Sequence, residues 1–158
     1  AGKAKANNFA RFLSEISVNN ILNQKIDLKD TSFIKTYINS IIMSGLAMNI
    51  SGNSRPCSGS EHLIAHAMTS FNLSRFAHGK LVGSLTPFTL YLQEDNRLEW
   101  FKKSSFSCLD IHVLENTDQS KIFELAKQVR GGRYTILNQF SNSELKNKYL
   151  KFLDTWIK

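Results

Sequence analysis

Apolar residues recur at intervals of three and four along most of this chain, the period of a helix with one buried face. Phe9, Phe12, Leu13 and Ile16 keep that rhythm through residues 9 to 22. Asp30 can cap a second helix, in which Ile34, Tyr37, Ile38, Ile41 and Ile42 repeat at helical spacing. A third starts at Ser58 and Glu61, a serine followed three residues later by a glutamate, the sequence form of a capping box. Leu63, Ala67 and Phe71 are its core side. The apolar density from Gly79 to Gln93 predicts a buried helix with a kink or break at Pro87. Ser120 to Val129 and Ser141 to Lys158 complete the set. The last is boxed by Ser141 and Glu144 ahead of Leu145, Tyr149, Leu150, Phe152, Leu153, Trp156 and Ile157. Only residues 104 to 116 break the pattern, with Phe106 to Leu114 reading as a short strand or an irregular loop. The expectation is an all-α chain forming a single domain over residues 1–158, without repeats or a dividing linker.

Composition narrows the class without naming a function. A chain of 158 residues can bury a proper core as one domain. No apolar run approaches the roughly 20 residues that a membrane helix needs, so no membrane partner is expected. Ala1-Gly-Lys-Ala-Lys-Ala6 is charged and small and does not read as a secretory leader, and with no initiating methionine it reads as a truncated or processed start. Cys57 and Cys108 are far apart and read as free thiols in a reducing cytoplasm. The net charge of +7 raises the question of nucleic acid. Yet the basic residues are dispersed, and the densest group, Lys146, Lys148 and Lys151, falls on the polar face of the last helix. No aromatic–basic module accompanies them, so a solvated face is expected and no nucleic-acid partner.

The chemistry concentrates in one stretch. His62 falls in the first turn of the third helix, and His66 lies one turn on along the same face. His78 follows after a short polar break. Neutral imidazoles hold divalent metals such as zinc, and a catalytic site keeps one coordination position open. The helix N-terminus disfavours imidazolium at His62 and favours an anion such as phosphate nearby. By spacing alone, a solvated helix face is the favoured explanation of such a pair. His112, alone on an apolar stretch, reads as a structural histidine.

The run SGNSRPCSGSEHLIAH from Ser51 to His66 resembles a signature of the sn-glycerol-1-phosphate dehydrogenases. These belong with glycerol dehydrogenases, iron-containing alcohol dehydrogenases and 3-dehydroquinate synthases. Ile41 to Met48 resembles the helix leading into that signature, His78 to Gly83 the second histidine motif, and Val129 to Leu137 a late Arg-Tyr-Thr-Ile-Leu element. The resemblance implies the helical, C-terminal metal-binding domain of the dehydroquinate synthase-like fold. It makes His62 and His78 metal ligands and His66 a catalytic histidine that faces the substrate. Ser54, Arg55 and Ser60 would contact substrate, Arg55 by pairing with a phosphate, although a connecting arginine that packs its stem explains it equally well.

By the same resemblance, the intact enzyme would interconvert dihydroxyacetone phosphate and glycerol 1-phosphate. Its cofactors would be NAD(P) and a divalent metal, zinc first, with iron or nickel as alternatives. A phosphorylated three-carbon substrate, a cytoplasmic location and association into a homo-oligomer are expected. Two features depart from the family's pattern. The Gly-Asp pair that would supply the third ligand occurs nowhere in the chain, and no G-x-G-x-x-G loop is present. The nucleotide-binding domain is therefore expected on a longer polypeptide, and this chain alone is expected to be inactive. A polyol dehydrogenase, a synthase-like relative and a non-catalytic helical binding module are the alternatives.

Overall fold

The computed structural model describes residues 7–71, 76–104 and 109–156. Cys108, Phe106, Ile157 and the first six residues, about which the sequence raised expectations, lie outside them. Among the described residues every regular element is helical. These elements are α1 (Asn8–Leu22), α2 (Thr31–Ser51), α3 (Ser60–Ser70), α4 (His78–Leu92), α5 (Arg97–Lys103), α6 (Gln119–Gly132) and α7 (Asn142–Trp156). Short 3-10 turns occur at Arg55–Cys57 and Ile136–Gln139. No described helix is long and apolar enough to cross a membrane. The chain divides into two compact units, one ending at Gly59 and the other beginning at Ser60. That division falls inside the run from Ser51 to His66, where composition does not change.

The first unit is α1 packed on α2. Asn7 caps α1, its Oδ1 accepting from the amides of Phe9 (3.1 Å) and Ala10 (3.0 Å). Asp30 caps α2 as its sequence predicts, accepting from the Ser32 amide at 2.8 Å. Gly52 ends α2 at φ 65°, a left-handed turn that glycine enters without a Cβ penalty. The two helices meet through small residues. Ala10, Leu13 and Ala47 form the core with Met43, Ile50 and Cys57 beside it, and the Ser17 and Ser44 hydroxyls lie 2.6 Å apart. The stripe of Ile34, Tyr37, Ile38, Ile41 and Ile42 is not that core, being 37–62% exposed. Close approach of two helices favours small side chains, so Ser44 and Ala47 turn inward and the bulky face turns out.

The second unit holds the large core, where α3, α4, α6 and α7 close around Phe88. Its ring lies 5.9 Å from Phe123, 5.7 Å from Phe152 and edge-on to Tyr149 at 5.2 Å. Leu63, Ile64 and Met68 enter from α3, and Ile122 and Ala126 from α6. Burying each such large side chain contributes roughly 1.5–3 kcal/mol, so this cluster dominates the unit's stability. Phe71 lies past the end of α3 and is exposed, and Leu150 of α7 is also exposed. The predicted box at α7 is present: the Ser141 amide donates to Glu144 (2.7 Å) and the Glu144 amide to the Ser141 hydroxyl (3.2 Å). Pro87 does not break α4, which runs on to Leu92 with Pro87 buried inside it. Gly83, four residues earlier, also lets Leu109 approach: a Cβ there would meet its Cδ2 at 3.0 Å. The seven-residue α5 was not anticipated. It follows a turn in which the Asp95 carboxylate accepts from the Arg97 amide at 2.9 Å.

Residues 111–116 form consecutive turns, settling the ambiguous stretch as loop among the described residues. A buried tyrosine holds it. The Tyr149 hydroxyl donates to the Ile111 carbonyl (2.6 Å) and accepts from the Leu114 amide (3.3 Å), while Ser84 accepts from the Asp110 amide (2.9 Å). Burial pushes the Tyr149 phenol well above its ordinary value, so it stays protonated and keeps donating. Tyr149→Phe conserves the ring but leaves both backbone groups unsatisfied. It is expected to cost about 1–3 kcal/mol in urea unfolding. A loss within roughly 0.5 kcal/mol would mean that surface-like tolerance, not a pin, describes this hydroxyl.

Candidate functional site

The period that buries Leu63, Ile64, Ala67 and Met68 leaves His62 and His66 one turn apart on a flanking, half-buried face of α3. His78 opens α4, which packs on α3, and its ring is exposed. The three imidazoles gather there. The His78 ring centroid lies 5.6 Å from that of His62 and 5.0 Å from that of His66. Ser60, buried at the head of α3, belongs to the same unit.

Ser54 and Arg55 lie in the first unit, at the 3-10 turn. Asn53 Oδ1 accepts from the Arg55 amide at 2.9 Å, and the Ser14 hydroxyl donates to the Pro56 carbonyl at 2.6 Å. The Cys57 thiol donates to the Ser44 carbonyl at 3.5 Å. The turn is thereby tied to α1 and α2, with the Arg55 side chain exposed.

The capping box expected from Ser58 and Glu61 does not form. The Ser58 hydroxyl is buried with no hydrogen-bond partner, and the Glu61 carboxylate lies 2.8 Å from His62 Nδ1. α3 begins at Ser60, which puts Ser58 one residue outside the cap position and Glu61 in the first turn.

His66 has a different environment. Its Nε2 is buried without a hydrogen-bond partner among the described residues. Burial, reinforced by charge repulsion from Arg130, His78, His62 and Arg133, holds its pKa below the ordinary 6.5, so the ring is neutral at pH 7. Arg130 and Arg133 border a backbone reversal at the end of α6. There Val129 leaves helical geometry, and Arg130 (φ 54°) and Gly131 (φ 74°) turn left-handed. The motif from Val129 to Leu137 is legible in the sequence but the influence of its arginines on His66 is not; basic residues flanking a Gly-Gly pair after a helix are the available signal. His112 stands apart, with Nδ1 3.0 Å from Glu115 at the surface.

The donor set meets part of what a metal asks. Two imidazoles on one tetrahedral zinc, with Zn–N bonds of about 2.0–2.1 Å, place their ring centroids roughly 5 Å apart. Both pairs that include His78 are near that spacing. Among the described residues, however, no three His, Cys, Asp or Glu side chains come together as a ready metal site. The residues fit two positions of a coordination shell, in keeping with the missing Gly-Asp pair.

Known proteins extend the picture. No family model matches the chain. It is 34% identical over 139 residues to the glycerol-1-phosphate dehydrogenase [NAD(P)+] of Thermoplasma volcanium, and equally to that of Thermoplasma acidophilum. Each alignment covers 82% of this chain and 39% of the relative. The enzyme of the same name from Saccharolobus islandicus is 34% identical over 142 residues, covering 82% of this chain and 40% of the relative. The chain thus spans about two-fifths of the length of the curated relatives that it matches. An all-helical chain with this histidine cluster and this identity to the same enzyme in several organisms is, over the length that aligns, a member of the glycerol-1-phosphate dehydrogenase family.

Proposed function

We propose that this chain is the metal- and substrate-binding part of an enzyme that interconverts dihydroxyacetone phosphate and glycerol 1-phosphate with NAD(P). The observation that carries the reading is the meeting of His62, His66 and His78 in one cluster, within a chain related to enzymes of that name. His62 and His78 would hold a divalent metal, zinc by the chemistry of imidazole donors. Such an ion, when bound, supplies Lewis acidity toward a carbonyl oxygen and toward the alkoxide formed on hydride transfer. His66, neutral and with a buried unpartnered nitrogen, is suited to bond the substrate and to move its proton. Ser54, Arg55 and Ser60 would help to bind the phosphorylated three-carbon substrate. The nucleotide would be held by a domain outside this chain, in a cytoplasmic enzyme that forms homo-oligomers.

A second reading is favoured by one observation, the lack of three converging donors among the described residues. On that reading the chain is a helical binding module without catalysis. The 158-residue chain itself is expected to turn over no nicotinamide under either reading.

Four measurements follow. His62→Ala and His78→Ala should each lower zinc affinity of the chain at least tenfold in a competition titration, while His66→Ala should not; equal retention by all three variants would remove the metal reading. In the intact polypeptide, His66→Ala should keep its metal and lose about 10²–10⁴-fold in kcat, the usual size of a lost proton-transfer group. Turnover of dihydroxyacetone equal to that of its phosphate would argue for a polyol enzyme instead. By ring-proton NMR of the metal-free chain, His66 should titrate below 6.5 and so keep its proton-accepting form as pH falls past the midpoint of an ordinary histidine. A midpoint at or above 6.5 would contradict the environment described for it.

A further inference from the structure

The Glu61 carboxylate lies 2.8 Å from Nδ1 of His62, and both side chains are largely withdrawn from water, at 17% and 25% exposure. A carboxylate can only accept a hydrogen bond, so a bond of this length needs the hydrogen on Nδ1. In neutral imidazole the other nitrogen, Nε2, then carries the lone pair. Nε2 lies on the opposite side of the ring from the carboxylate, and the imidazole of His78 is the neighbouring ring in the cluster, 5.6 Å from that of His62 between centroids. The helix adds to the effect. Glu61 is in the first turn of α3, where a negative charge is favoured by the exposed amides and the carboxylate is held in place.

We infer that Glu61 is a positioning residue: it holds His62 in the Nδ1–H tautomer and so presents Nε2 as the donor of the ring. It touches neither substrate nor reacting atoms and acts through His62. The inference rests on the proposed function only for its purpose, since the tautomer is a property of the metal-free chain. A ring fixed in this way loses less freedom on taking a ligand, and a partner carboxylate raises the basicity of the donor nitrogen.

The test is nitrogen-15 NMR of the histidine side chains in the metal-free 158-residue chain near neutral pH, for the wild type, Glu61→Ala and Glu61→Gln. The wild type should show His62 as Nδ1–H. Glu61→Ala should lose that signature, and Glu61→Gln should retain it in part, because the amide oxygen accepts the same bond. Zinc affinity should then fall about 10–100-fold in Glu61→Ala, and by less in Glu61→Gln. A wild-type His62 protonated on Nε2 overturns the inference without any variant, and so does an unchanged tautomer in Glu61→Ala. Zinc affinity within about twofold of wild type, with the tautomer lost, would also overturn the positioning role. A wild-type chain that takes up no zinc while its tautomer follows Glu61 would instead refute the metal reading and uphold the hydrogen bond.

Discussion

Burial of α3 along Leu63, Ile64, Ala67 and Met68 is the constraint on which the site depends. With 3.6 residues per turn, once those four positions are sunk among α4, α6 and α7, His62 and His66 have only one direction left to face. The histidines need no fastening of their own, because rotating α3 to move them would expose Leu63, Ile64 and Met68 at roughly 1.5–3 kcal/mol each. His78 is set by the same packing, since it opens α4 and Leu81 and Leu85 of that helix are completely or almost completely buried. Imidazole spacing is thus inherited from the core.

Polar bonds complete what apolar packing cannot specify. The loop from 109 to 117 has neither ladder nor helix; its own turns pair the amides of Val113, Glu115 and Thr117, and Tyr149 and Ser84 supply partners for Ile111, Leu114 and Asp110. Lys127 does the same at the junction of α6 and α7, donating at 2.8 Å to both the Phe140 carbonyl and Asn142 Oδ1, with burial pulling its pKa down. These contacts keep α6 and α7 in register behind α3. In the first unit the counterpart is the pair of serine hydroxyls, Ser17 and Ser44, between two helices that meet through small side chains.

The histidines are neighbours in space yet differ electrically. His62 has a carboxylate on one nitrogen, which selects a tautomer. His66 has burial and positive neighbours, which select the neutral form. The neutral ring is the form in which imidazole can donate a lone pair or accept a proton. One cluster can in this way contain donors for an ion and a group free for proton transfer, the division of roles proposed above.

The helical period, the Asp30 cap, the box at Ser141 and Glu144 and the pairing of His62 with His66 were all legible in the sequence, because each depends on residues within four positions of one another. Family membership was legible too, through motifs in order along the chain. Other features depended on partners remote in sequence. Periodicity marked the Ile34–Ile42 stripe as apolar, but only the approach of α1 decided that Ser44 and Ala47 turn inward. Nothing in residues 104 to 116 distinguishes strand from loop, and Tyr149, more than thirty residues on, settles the described part as turns. The weight of Arg130 and Arg133 on His66 likewise exists only because α6 packs against α3. Local spacing carries the elements and their caps, while distant packing decides which faces are covered and what each polar group meets.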